Sequence, residues 1–103
     1  MSLALTDEQR QIVRNILANH LPAGTSACAF GSRVKNAYRP LSDLDIAVKA
    51  REPLTLSQLG DLTEAFSESD LPFRVDVVDW LTADPFLQRI IDRDGVELYA
   101  TSS

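Results

Sequence analysis

"FGSRVKNAYRPLSDLDIAV", residues 30–48, leaves an apolar run through Gly31-Ser32, crosses a basic segment, and re-enters an apolar run through Ser42-Asp43-Leu44-Asp45. The alternation of Leu44, Ile46 and Val48 marks the second run as a strand with one buried face. Strand parity then puts Asp43, Asp45 and Ala47 together on the other face. Residues i and i+2 of a strand stand about 6.5 Å apart on one side. Two ionised carboxylates so placed repel and raise each other's pKa unless a cation lies between them. Oxygen-only ligands suit Mg²⁺ or Mn²⁺, with phosphate oxygens and water completing the shell.

Working outward, Thr6 with Gln9 three residues later reads as a capping box. Ile12, Val13, Ile16, Leu17 and Leu21 then follow at helical spacing until Pro22 and Gly24. His20 falls in the last turn, where it suits the helix dipole. Residues 27–30 form a short buried strand and 44–48 the next. Thr55 or Ser57 caps a second helix with the stripe Leu56, Leu59, Leu62, Thr63 and Phe66. A third strand, 73–79, puts Phe73, Val75 and Val77 on one face and Arg74, Asp76 and Val78 on the other. Asp84-Pro85 starts a third helix with the apolar residues Phe86, Leu87, Ile90 and Ile91, stopped at Asp94-Gly95. Residues 96–99 form the last strand. The fold class expected is α/β (α+β): one domain over residues 1–103, with a mixed, mostly antiparallel sheet and helices packed on one face. A loop joins the first two strands, so they pair antiparallel. Gly31-Ser32 then lies beside Asp43 and Asp45.

Composition narrows the function. The chain has 103 residues, 45% hydrophobic and 24% charged, as in an ordinary globular domain. No apolar run approaches the roughly 20 residues of a membrane span, and no leader pattern is visible, so a cytoplasmic location is expected. The lone Cys28 sits among small apolar residues and reads as a buried hydrophobe. A net charge of −5 argues against a duplex nucleic-acid binder. Yet Arg33, Lys35, Arg39 and Lys49, four of the ten cations, lie in or beside the opening stretch. Local positive charge in an acidic chain favours a small anionic ligand.

Asp76 interrupts an apolar strand, and an acid there costs free energy unless paired or coordinating. Three Asp residues on one sheet face can hold two metals about 3.5–4 Å apart, as in-line phosphoryl displacement requires. Asp79 has the opposite parity and ranks below Asp76 as third ligand. Gly31 lets a phosphate approach the backbone, and Ser32 offers a hydroxyl and an amide. Arg33 and Lys35 could neutralise phosphate charge, while Arg39 reads as a solvated loop charge.

Gly-Ser, ten residues, then Asp-x-Asp opening a strand, with a lone Asp in a later strand, resembles the signature of the nucleotidyltransferase superfamily typified by DNA polymerase beta. Within it the chain resembles the minimal nucleotidyltransferases, or MNT group, many of which are antitoxins paired with HEPN-domain toxins. The resemblance implies two Mg²⁺ ions on Asp43, Asp45 and Asp76, and transfer of NMP from an NTP with release of pyrophosphate. It implies phosphate contacts from Gly31 and Ser32. It also implies that ATP donates AMP to a Tyr, Ser or Thr hydroxyl of a HEPN toxin. Once the sheet and helices are built, little chain is left for an acceptor domain, so the acceptor site is expected to be shared with a partner. A homo-oligomer is compatible with this. The rival function is a non-catalytic antitoxin that occludes its toxin through Trp80, Leu81, Tyr38 or Tyr99.

Overall fold

The chain runs α1 (Asp7–His20), β1 (Ser26–Phe30), β2 (Leu44–Lys49), α2 (Leu56–Ser67), β3 (Val75–Asp79), a 3-10 turn (Trp80–Thr82), α3 (Pro85–Asp94) and β4 (Val96–Ala100). This is a computed structural model, and it describes residues 3–34 and 42–101.

Local chemistry starts each helix where the sequence says. The Gln9 amide donates to Thr6 Oγ1 at 3.0 Å, and the Thr6 amide donates to Gln9 Oε1 at 3.0 Å. Thr55 and Gln58 repeat the device for α2. That resolves the choice between Thr55 and Ser57, because only Thr55 has a Gln three residues on. Asp84 accepts from the Leu87 amide, with Pro85 in the first turn of α3.

The four strands lie in the order β3-β2-β1-β4. β1 pairs antiparallel with β2 (Ser26 opposite Lys49, Phe30 opposite Asp45) and antiparallel with β4. β2 and β3, joined through α2, are parallel, with Asp45 opposite Asp76. The sheet is mixed and mostly antiparallel, as parity and loop lengths predict.

The main core lies on one face. Val13 and Leu17 of α1, with Leu62 and Phe66 of α2, pack in one cluster with Leu44, Ile46, Val48, Ala27 and Ala29. The expectation that all helices share that face needs correction. α3 lies on the opposite face, where Ile91 joins Phe30 and Ala47 in a second cluster, flanked by Cys28, Val78, Trp80 and Leu87. The reason is in the strands themselves: Cys28, Phe30, Ala47 and Val78 make much of that face apolar, and it must be covered. Lys49 tethers α3 to the sheet, with Nζ 2.6 Å from Asp92 and 5.0 Å from the Trp80 ring centroid.

Asp79 is buried and ends β3. Its Oδ2 accepts from the Leu54 amide at 2.8 Å and its Oδ1 from the Leu81 amide at 3.0 Å. It fixes the entry to α2 and the 3-10 turn. Asp79→Ala removes the acceptor from both amides, one of them buried, and is expected to destabilise the fold by about 2 kcal/mol in chemical denaturation.

Candidate active site

The sheet's acid end is built by two facts of register. Phe30, the last residue of β1, lies opposite Asp45. Gly31 follows with φ +87°. A Cβ at Gly31 would collide with Asp45 Oδ2 and stand 3.4 Å from its Cγ. Only a residue without a side chain fits there in that conformation. The Val34 amide donates to the Gly31 carbonyl at 3.1 Å and closes a turn that carries the half-buried Ser32. The Gly-Ser turn and the Asp-x-Asp pair therefore meet, as antiparallel pairing of the first two strands requires.

The three predicted acids gather at the same end. Asp43 is exposed just ahead of β2, Asp45 is half-buried on it, and Asp76 is its register partner on β3. Adjacent strands lie about 4.8 Å apart, so the last two carboxylates are neighbours. Burial pushes the Asp45 carboxyl above the usual range, and the Asp76 and Asp43 charges raise it further. This is the electrostatic signature of a site that favours a cation.

The acids are neighbours rather than a closed cage. Among the described residues, no three carboxylate, imidazole or thiolate groups converge tightly enough to hold an ion. Asp76 Oδ1 instead faces Arg74 Nε at 3.2 Å. The residues nonetheless fit a hard divalent cation. Their donor set is all oxygen, the carboxylate charge of Asp45 is opposed by burial and its neighbours, and Gly31 places no side chain over it. Arg74 is the residue that sequence reasoning missed. Its parity with Asp76 was visible, and that alone places a largely exposed cation on the acid face.

Arg33 is where expectation and structure part. It was expected to meet phosphate, but it is only 3% exposed. Its Nε donates to the Ser42 carbonyl at 2.9 Å and its Nη1 to the Ala4 carbonyl at 2.8 Å. The guanidinium carbon lies 3.9 Å from the Phe73 ring centroid. A guanidinium so enclosed supports the turn from beneath. Lys35, Tyr38 and Arg39 lie outside the described residues. A cleft of about 370 Å³ lined by Pro22, Thr25, Arg51 and Thr55 sits at the opposite end of β1 and β2, far from the acids, so the acids' chemistry and not the cleft marks the site.

Comparison with known proteins identifies the family. The family model for polymerase beta nucleotidyltransferases matches residues 11–103. A Haemophilus influenzae protein described as a probable protein adenylyltransferase, MntA, is 46% identical over 89 residues, covering 86% of this chain and 77% of that protein. A toxin-antitoxin crystal structure with AMP-PNP superposes with a TM-score of 0.76 at 28% identity, over 93% of this chain and 75% of that one. A tri-AMPylated HEPN toxin in complex with an MNT antitoxin, from Shewanella oneidensis, gives 0.66 at 27% identity, over 89% of this chain and 73% of that one.

Two substitutions probe the electrostatics and the close approach. Because the folded state raises the Asp45 pKa, it binds the proton more readily than the unfolded chain. Stability is then lost as pH rises from the ordinary carboxylate value through the raised one. In metal-free buffer Asp45→Asn is therefore expected to raise Tm at pH 7, with the gain vanishing below about pH 4. Melting curves of both chains from pH 3.5 to 7.5 check the sign. Gly31→Ala meets both the left-handed backbone and the Asp45 carboxylate. It is expected to cost at least about 1–2 kcal/mol in urea titration.

Proposed function

The chain belongs to the polymerase beta nucleotidyltransferase family, and from that premise we propose that it transfers AMP from ATP to a side-chain hydroxyl of a partner protein, a HEPN-type toxin that it silences. The observation that carries this reading is the Gly31 backbone folded against Asp45, itself in register with Asp76. An anion-accepting turn and a carboxylate pair then share one edge of the sheet. The substrate class is supported by the relative described as a probable protein adenylyltransferase and by the likeness to an antitoxin complexed with a tri-AMPylated toxin. No helix among the described residues is long and apolar enough to cross a membrane, and the reading places the chain in the cytoplasm with its ATP.

In this mechanism Asp43, Asp45 and Asp76 would hold divalent metal, Mg²⁺ being the cation their oxygen donors suit, with two ions by analogy with the family. When bound, the metal neutralises phosphate charge and makes the acceptor hydroxyl more acidic. The amide and hydroxyl of Ser32 hold triphosphate oxygens where Gly31 leaves room. Asp76 takes the proton of the acceptor hydroxyl at a carboxylate oxygen. The acceptor oxygen attacks the α-phosphorus in line. A new O–P bond forms, the bond to the β-phosphate oxygen breaks, and pyrophosphate leaves. Arg74, held against Asp76, gives the leaving charge a nearby cation.

The test is incubation of the purified chain with Mg²⁺, α-³²P-labelled ATP and the protein encoded beside it. Label is expected on that protein. The Asp43→Asn/Asp45→Asn double variant should lose transfer by about 100-fold or more without lowering Tm. Retained labelling by the double variant overturns the assignment. A tight but unlabelled complex with the unaltered chain means that neutralisation occurs by occlusion.

A further inference from the structure

Arg33 puts a permanent cation into the interior, where charge is costly. An apolar side chain could fill the same volume without desolvating a guanidinium. The reason for an arginine must therefore lie in what its planar fork can join. Three separate segments converge on it. Its backbone is one residue beyond Ser32. Its Nε bonds the Ser42 carbonyl, one residue ahead of Asp43, and its face lies on Phe73, three residues ahead of Asp76. A fourth segment locks it from outside. The Ala4 amide donates to the Arg33 carbonyl at 3.1 Å, while Arg33 Nη1 donates to the Ala4 carbonyl at 2.8 Å. Nearby, the Leu44 amide donates to the Arg74 carbonyl at 2.9 Å and starts the β2–β3 pairing.

We propose that Arg33 is a positioning residue. Its guanidinium sets the mutual placement of the Gly-Ser turn, the strand bearing Asp43 and Asp45, and the approach to Asp76. It touches neither metal nor nucleotide. The role needs an arginine. A lysine ammonium is a point charge on a flexible stem and cannot hold two carbonyls in one plane while stacking on a ring. Supporting groups of this kind typically alter metal affinity or activity by about 10–100-fold when replaced. Phe73, buried two residues ahead of β3 with the Arg33 guanidinium over its ring, belongs to the same device.

The activity arm of the test rests on the adenylyltransfer reading, and the metal arm does not. Arg33→Lys, Phe73→Leu and the double variant are compared for Mn²⁺ affinity by electron paramagnetic resonance, and for AMP-transfer kinetics. Arg33→Lys is expected to weaken Mn²⁺ binding and lower kcat about tenfold or more, with KM for ATP changed by less than about twofold. Phe73→Leu, which keeps the apolar fill, should move the same quantities in the same direction. The double variant should be little worse than Arg33→Lys, because both act through one arrangement. If Arg33→Lys does not fold, Phe73→Leu carries the test. The proposal is overturned if KM for ATP rises about tenfold at constant kcat, the behaviour of a direct phosphate contact. It is equally overturned if Tm falls while Mn²⁺ affinity and kcat stay put. An unaltered chain that binds Mn²⁺ but transfers no AMP would sink adenylyltransfer, and Arg33 would then be judged on Mn²⁺ affinity alone.

Discussion

Asp45 and Asp76 face each other across a parallel strand pair, and like charges in that position repel. The rest of the site is arranged around that repulsion. β1 ends at the residue opposite Asp45, so that the following glycine folds over the carboxylate instead of presenting a side chain to it. Burial adds to the pressure on Asp45, and together with the neighbouring acids it disfavours the ionised form. Arg74 relieves Asp76 from the solvent side, and an exposed ion pair of this kind is worth little by itself. A protein under selection for stability alone would remove one of the two acids. Their pairing in register costs folding stability and suits the binding of a cation.

Much of this was legible because strands have a strict period of two. Once Leu44, Ile46 and Val48 are recognised as a buried row, Asp45 can only be on the other side. The same rule separates Asp76 from Asp79 within five residues. The two prove to have unrelated tasks, one at the acid end and one buried beneath two amides. Capping boxes were equally readable, since they need only residues three apart.

What could not be read concerns choices made by tertiary packing. An amphipathic stripe of Phe86, Leu87, Ile90 and Ile91 marks the apolar side of α3 but not that Ile91 is buried while Phe86 stays exposed, nor which side of the sheet receives it. That depends on how much of the second face is apolar, a sum over four strands. Arg33 shows the same limit more sharply. Beside Gly-Ser its charge suggested a phosphate, yet nothing local reveals that Ala4, Ser42 and Phe73 enclose it. Arg74 failed in the opposite way: its parity was in view, but an exposed arginine draws no notice until its neighbour is known to matter.

The placement of α3 divides the second sheet face along the length of β2. Ala47 is roofed by Ile91 and Lys49 is tied to Asp92, whereas Asp45, two residues back, lies at the end where the turn and the acids meet. Rigid foundation and reactive edge are thus adjoining stretches of a single strand. The apolar cluster and the Lys49–Asp92 pair that hold α3 include none of the three acids, so what is laid over the acids can change without repacking that helix.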